Sequence, residues 1–414
     1  MNTVAVIGGG ASGMMAAVTA ASNGSHVILL EQNDKIGKKL LSTGNGRCNF
    51  TNINQEPVFY HSENPEFPWQ VVGHFNAQNI ISFFLQIGVY SKNRNGYIYP
   101  NSDQARAVLD VFRMEIDRLG IEVRTGIRCR EIRPVKQGFS ITTDHGTIRA
   151  DRVILCTGSK AAPSTGSDGS GYGLAKDLGH RIIPVLPALV QLRCRENFFR
   201  RIAGVRAQGT VSIWSEDMCI ARDTGEIQLT DYGISGIPVF QVSRYASKLL
   251  YEKKEVYAYL DFMPDLTKEQ MCAFLRARAS ARPDKSAGMF LTGLFHQKLS
   301  DLWIRLAGVP EDRNVGELSD EELEKLAGMI KEFRVCVTAA NPFEKAQVCC
   351  GGVDTREVEP ETMESLYVPG LYFAGELLDV DGMCGGYNLT FAWASGYTAG
   401  LAASGAFAPQ DAKD

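Results

Sequence analysis

The sequence predicts an α/β protein in which the two ends of the chain build one domain around a β-rich and a helical middle. Three observations carry that expectation. Val4-Ala5-Val6-Ile7 is a short apolar run rich in β-branched residues, and Gly8, Gly10 and Gly13 follow it at G-x-G-x-x-G spacing. An alanine-rich helix from Ala11 to about Ala21 leads through Asn23-Gly24 into a second strand, Ser25 to Glu31, which ends in an acid. Near the other end, Gly370 to Glu376 is again a strand closing on glycine and a carboxylate. Gly385-Gly386-Tyr387-Asn388 and a helix from Leu389 to about Ala403 come after it.

The opening unit has a specific chemistry. The first glycine permits the tight turn, the second lets the backbone approach a pyrophosphate, and the third lets the helix pack on the strand. Free N–H groups at the helix start, around Gly10, Ala11 and Ser12, face the phosphates. Glu31 stands where a carboxylate accepts hydrogen bonds from a ribose diol and repels a 2′-phosphate. FAD or NAD is therefore expected at this site rather than NADP.

Gln32 to Asn52 is glycine-rich, basic and without periodicity, and reads as a loop or short helix against the cofactor. Gln32, Lys38, Thr43, Gly44, Asn45, Arg47, Cys48 and Asn49 are its candidate binding residues, through backbone N–H groups and positive charge. Helices are expected near Ala77–Ile87 and Asp103–Leu119, the second capped by Ser102, with an extended aromatic segment Asn95–Pro100 between them. Ile121–Thr125 reads as a third strand of the nucleotide domain. Ile127 to Ala150 reads as an antiparallel meander turning at Lys136-Gln137-Gly138 and Asp144-His145-Gly146. Arg152–Cys156 is a further buried strand running into Thr157-Gly158.

That order matches FAD-binding Rossmann domains of the glutathione-reductase-like class. By fold analogy Ile127 and Arg128 lie at the adenine, and Thr157 and Gly158 near the adenosine side. By the same analogy Gly375 and Glu376 hold the ribityl hydroxyls. Asp381, Gly385, Gly386, Tyr387 and Asn388 lead into a helix whose N–H groups meet the flavin C2 carbonyl. The expected division is residues 1–185 and 345–414 for the FAD-binding domain, 186–263 and 334–344 for a β-rich, barrel-like substrate domain, and 264–333 for a helical insert. Two capping-box patterns, Thr267–Gln270 and Ser319–Glu322, punctuate the insert.

The bulk numbers exclude several classes. The chain has 414 residues, 44% hydrophobic and 22% charged, with a net charge of −4 and a pI near 6.0. This is the composition of a soluble globular protein of two or three domains, with no reason to expect nucleic acid or a membrane as partner. A strand three residues from the start leaves no room for a signal peptide. Ten cysteines without C-x-x-C spacing argue against a disulfide framework or a zinc site, and point to a reducing cytoplasm. No metal is expected.

The chain resembles the bacterial flavoprotein family labelled YhiN-like, BaiN-like or aminoacetone-oxidase-like. The stretches that carry the resemblance are Gly8–Gly13, Lys38–Asn49, Thr165–Gly169, Gly225-Glu226-Ile227, Gly233–Gly236, Thr362–Ser365 and Gly370–Asn388. Two departures stand out: Cys384 where the family often has threonine, and Cys349-Cys350 where relatives tend to carry Val-Thr. The resemblance implies a two-part FAD domain, a barrel-like domain and a small helical domain. It implies flavin chemistry more sharply than any one substrate.

Only one dinucleotide fingerprint is present, so NADH or NADPH would bind transiently. The leading expectation is flavin hydride transfer on a small organic substrate of unsaturated-ketone or steroid type. An oxygen-dependent amine oxidase is the alternative, and a flavin-containing RNA-binding or RNA-modifying protein a further one. Only Phe198-Phe199-Arg200-Arg201 and Arg206 offer an aromatic-basic cluster for RNA. Tyr387, Cys384, Asp381, Asp168 and His180 are weighed as proton donors or bases, and none is assigned. The catalytic residue and the oligomeric state stay open.

Overall fold

The computed structural model describes residues 2–406, which fall into two compact units, residues 2–186 with 347–406, and Pro187–Ala346. The first is built on a five-stranded sheet. Its strands are β1 (Thr3–Ile7), β2 (His26–Glu31), β3 (Glu122–Thr125), β4 (Arg152–Leu155) and β5 (Leu371–Phe373). They run in the order β5-β4-β1-β2-β3, all pairs parallel. The strand order reverses beside β1, and ligands of such sheets bind at the carboxyl ends of the strands at that reversal. All of Val4 to Ile7 is buried, as sequence continuity of apolar residues requires of a strand covered on both faces.

Helix α1 (Ala11–Ser22) packs on this sheet, and helix α2 (Tyr387–Ser404) packs on α1. Their approach is close because glycines face backbone. A Cβ on Gly396 would stand 2.4 Å from the Ser12 carbonyl oxygen, and one on Gly400 would stand 2.5 Å from that of Ala16. Aromatic rings close the far side: Trp393 lies 5.5 Å from Phe112 and 5.3 Å from Phe84, and its indole N–H donates to the Phe50 carbonyl.

The meander over Cys129–Pro134, Phe139–Thr143 and Gly146–Ala150 forms as its turns predict. Another expectation needs correction. The helix after Pro100 runs Ala105–Arg118 with Gln104 at its cap position and no side-chain bond there, so Ser102 caps nothing. The aromatic segment before it is one arm of a hairpin, Ser91–Arg94 with Tyr97–Pro100, turning at Asn95-Gly96 with φ +54° and +96°. Positive φ at both turn residues is the geometry that Asn-Gly favours. The structure adds a helix at Phe67–His74, begun by Pro68 in its first turn, that the sequence pattern does not announce.

The second unit holds a closed six-stranded antiparallel barrel. Around it run Leu192–Cys194, Gly233–Ser235, Met218–Leu229, Arg206–Ser215, Val256–Asp261 and Phe333–Ala340. The helices Lys268–Ala281, Gln297–Ala307 and Asp320–Lys331 lie between its last two strands in sequence, and both expected capping boxes are formed. Their apolar faces join the same hydrophobic core as the barrel. Barrel and helices therefore form a single unit where the sequence reading draws a boundary at 264.

Candidate cofactor and active site

The glycine turn at the end of β1 is set by backbone contact. Gly8 has φ +109°, and a Cβ there would stand 2.3 Å from the Cys156 carbonyl oxygen. A Cβ on Gly13 would meet the Gly8 carbonyl oxygen at 1.8 Å, whereas one on Gly10 would meet nothing within 4 Å. Two glycines thus close the turn and the third leaves room in front of it, as a pyrophosphate requires. Glu31 is buried at the tip of β2. Its Oε2 accepts from the Gly9 N–H at 2.9 Å, and its Oε1 from the backbone and side-chain N–H groups of Asn33 at 2.8 and 2.7 Å. These bonds fix the carboxylate beside the turn and leave lone pairs for a diol.

The residues expected on the adenosine side also come together. Ile127 donates its N–H to the Glu31 carbonyl, and Gln32 Nε2 donates to the Gly166 carbonyl at 2.5 Å. Arg128 pairs with Asp168 at 3.0 Å. Burial pushes the Asp168 carboxyl up, but hydrogen bonds from Ser170 and the Arg128 charge outweigh it and hold the group below the usual range. Asp168 also accepts the Ser170 N–H, so it fixes its loop rather than acting as a base.

The loop of residues 40–49 is irregular where the sequence is richest in glycine. Gly44, Asn45, Gly46 and Cys48 all have positive φ, and Thr43 breaks the helical run with ψ 143°. Non-glycine residues rarely adopt that region, and such strain concentrates at ligand sites. Cys48 is fully buried and its thiol is pushed up to about 12, so it is inert packing. Lys38 pairs outward with Asp34 at 2.7 Å. Its neighbour Lys39 is the one that reaches Glu376, at 2.6 Å, where the Ser159 hydroxyl also donates at 2.9 Å. Sequence reasoning misses both Lys39 and Ser159, because the run Lys38-Lys39 gives no sign of which lysine turns inward.

At the start of α2, Gly385 and Gly386 have φ +135° and +99°. A Cβ on Gly386 would stand 2.8 Å from Thr51 backbone and 3.1 Å from Asn49 Oδ1. Asn52 Nδ2 donates to the Gly385 carbonyl at 3.0 Å. Asn388 spends its side chain on Gly382, accepting that residue's N–H at 2.7 Å and donating to its carbonyl at 2.8 Å. The Asn388 side chain thus fixes the turn before α2. Asp381 is buried in a two-residue strand against Tyr60-His61. The Tyr387 ring packs 4.8 Å from Phe59 and 5.8 Å from Tyr60. Burial, with Tyr97 and Glu56 nearby, pushes its phenol up to about 12, so it stays protonated at neutral pH.

Three features test whether these residues fit FAD. Helices α1 and α2 both begin at a glycine with no side-chain cap, leaving their first N–H groups for a ligand. Asn49 Oδ1 and Thr157 Oγ1 are buried without a hydrogen-bond partner, and both belong to the expected cofactor set. The space before Gly10 is open. The residues fit the cofactor at both ends of the site.

His180 is placed elsewhere. Its Nε2 lies 2.8 Å from Ser365 Oγ, and its Nδ1 lies 3.2 Å from Glu357 Oε2 without the alignment of a hydrogen bond. This is the order of a Ser-His-Glu triad, but the ring is fully buried and Ser365 Oγ already accepts the N–H groups of Tyr367 and Val368. The cluster staples residues 357–368 to the end of the helix Ser170–Asp177. Burial lowers the His180 pKa despite the neighbouring carboxylate. The native state therefore holds a neutral ring, and the unfolded chain binds the extra proton. That stability is fully present above the unfolded pKa of about 6.5 and is lost as pH falls below it. Melting temperature should fall between pH 7.5 and 5.5. His180→Asn should be less stable by about 1–3 kcal/mol at pH 7.5 and show a shallower fall. An unchanged pH slope in the variant would assign the titration to another group.

Among the described residues no group of three His, Cys, Asp or Glu could hold a metal ion, and no helix is long and apolar enough to cross a membrane. All ten cysteines are free thiols.

The model of the HI0933-like protein Rossmann domain matches residues 2–402. A 3-dehydro-bile acid delta(4,6)-reductase of Clostridium scindens is 46% identical over 406 residues, 98% of this chain and 99% of that protein. Ribosomal RNA dihydrouridine synthases of Escherichia coli and Haemophilus influenzae are 28% and 29% identical, covering 95% and 96% of this chain and 95% and 98% of theirs.

Proposed function

Because the chain belongs to the HI0933-like Rossmann family and is an FAD-dependent oxidoreductase, we propose that it reduces a carbon–carbon double bond conjugated to a carbonyl. The substrate class is a 3-oxo steroid acid unsaturated at C4 or C6, with NADH or NADPH as electron donor and the cytoplasm as its compartment. One observation carries this reading: 46% identity, end to end, with a reductase of that substrate class. The RNA-modifying relatives fit the same chemistry, since dihydrouridine is uridine reduced at a double bond conjugated to a carbonyl. Their lower identity and the net charge of −4 favour the small-molecule reading over an RNA substrate.

Bound FAD supplies the two-electron chemistry. The chain's own residues hold and orient it. Gly8, Gly10 and Gly13 seat the pyrophosphate on α1, Glu31 takes the ribose, and Lys39, Ser159 and Glu376 form a fixed polar group for the ribityl side. The uncapped start of α2 offers N–H groups to the polar edge of the ring. Lys39 and Ser159 both donate to Glu376 Oε2, which holds that carboxylate in one orientation.

The test is anaerobic. The purified flavoprotein is reduced with NADH or NADPH, then mixed with a 3-oxo-4,6-diene steroid acid while flavin absorbance and product are followed. Reoxidation with loss of the dienone chromophore is the expected result. Bleaching by amines but not by either nicotinamide would replace the reading with an oxidase.

A further inference from the structure

The small sheet beside the start of α2 carries a face that cofactor binding does not use. Its strands are Thr51-Asn52, Tyr97–Pro100 and Ser91–Arg94, with Asn52 opposite Tyr97, Arg94 opposite Tyr97 and Lys92 opposite Tyr99. Because strand side chains alternate, Asn52, Tyr97, Tyr99, Lys92 and Arg94 share one face, while Thr51 and Ile98 are buried on the other. That face is pinned between the two loops assigned to the flavin. Tyr97 Cε1 lies 3.0 Å from where a Gly385 Cβ would be, and Tyr99 Cε1 lies 3.5 Å from the same point on Gly44. Tyr97 is 41% exposed, a large fraction for an aromatic ring in such a position.

The charges on this face do not balance. Asp103 pairs with both Lys92 and Arg94, the latter at 2.7 Å, and these cations with Arg47 hold its carboxyl below the usual range. Arg94 also lies 5.4 Å over the Tyr99 ring. Arg47, exposed at the end of the strained loop, acts on Tyr99 and Asp103 through its charge but forms no ion pair among the described residues. Lys92 and Arg94 are thus paired with Asp103 while Arg47 is not, on a surface of two tyrosine rings. A planar apolar body would lie on the rings and an anionic group would meet the guanidinium of Arg47, which suits bidentate oxyanions.

We propose that this face is an anion-recognition site in which Arg47, expected from the sequence to serve the cofactor, is instead the specificity-determining residue for a ligand that bears a carboxylate or phosphate and an apolar ring system. The inference rests on the proposed reaction only for the choice of probe. The exposed aromatic surface favours the carboxylate of the substrate over the phosphates of a nicotinamide donor.

The test measures binding to the FAD-loaded protein without turnover, from the change in flavin absorbance. A 3-oxo-4,6-diene steroid acid and its methyl ester are titrated into wild type, Arg47→Gln and Arg47→Lys, and NADH and NADPH are titrated under the same conditions with the steroid omitted and stopped-flow detection. Wild type should bind the acid about tenfold or more tighter than the ester, a preference that Arg47→Gln reduces to near unity and Arg47→Lys keeps in part. An unchanged acid preference with weakened NADH or NADPH binding would support the site and assign its anion to the donor phosphate. An acid-to-ester ratio and donor affinities that ignore Arg47 would overturn the proposal, even if the dienone is reduced. Failure of the dienone to be reduced at all would sink the reaction reading, while the binding ratio still decides the site.

Discussion

Gly13→Ala is expected to yield a protein that retains little or no flavin, with affinity reduced at least tenfold. The added methyl would stand 1.8 Å from the Gly8 carbonyl oxygen, 3.0 Å from its carbon and 3.3 Å from Cys156 Cβ. All but the last are backbone, which cannot swing aside, so α1 must retreat from β1. Overpacking of this kind costs about 1–3 kcal/mol in stability. It also moves the free N–H groups of α1 away from the phosphates they would serve. Gly10→Ala is the informative control. Its φ is −81°, nothing lies within 4 Å of the new methyl, and stability should hardly change. The methyl would nevertheless occupy the approach to the pyrophosphate, so flavin should still be weakened. Visible absorbance per protein and melting of the apoprotein measure both effects. Full flavin occupancy in Gly13→Ala, with unchanged melting, would remove the glycine turn from the cofactor site.

The same turn shows which parts of this protein are legible in its sequence. Gly8, Gly10, Gly13 and Glu31 lie within one local β-α-β unit, so their spacing reveals the turn, although the Cys156 backbone also presses on Gly8. The capping boxes at Thr267 and Ser319 are local in the same sense, and both form. The strand before Glu376 and the helix after Gly386 are readable because glycine and acid stand at a strand end. What the sequence conceals depends on distant partners. Lys39 rather than Lys38 meets Glu376, 337 residues on, and only tertiary packing decides which of two adjacent lysines turns inward. Asn388 reads as a ligand residue and serves Gly382, because a side-chain amide satisfies a nearby turn as readily as a cofactor. The hairpin at Asn95-Gly96 differs in kind, since its signal is local. The dipeptide is a strong turn former, and with the alternation of strand side chains it suffices to put Tyr97, Tyr99 and Arg94 on one face.

Trp303→Ala should destabilise the second unit by about 3–5 kcal/mol, the cost of removing a large buried aromatic. The side chain is fully buried on the helix Gln297–Ala307, with ring centroids 5.3 Å from Phe262, 5.0 Å from Phe295 and 6.2 Å from Phe333. Phe262 follows the barrel strand Val256–Asp261, and Phe333 begins the barrel strand Phe333–Ala340. One indole therefore joins the helical segment to two neighbouring strands of the barrel. If barrel and helices are a single cooperative structure, the cavity should loosen both. Hydrogen exchange should accelerate in Val256–Asp261 and Phe333–Ala340 together with the three helices, and melting should fall by about 10 °C. Flavin absorbance at low temperature should persist, since every expected cofactor residue belongs to the first unit. Accelerated exchange confined to the helices, with barrel strands as protected as in wild type, would make the helical segment an independent domain. In that case the closed barrel would have to be stable on the residues of its own strands, and the ring cluster around Trp303 would contribute nothing to it.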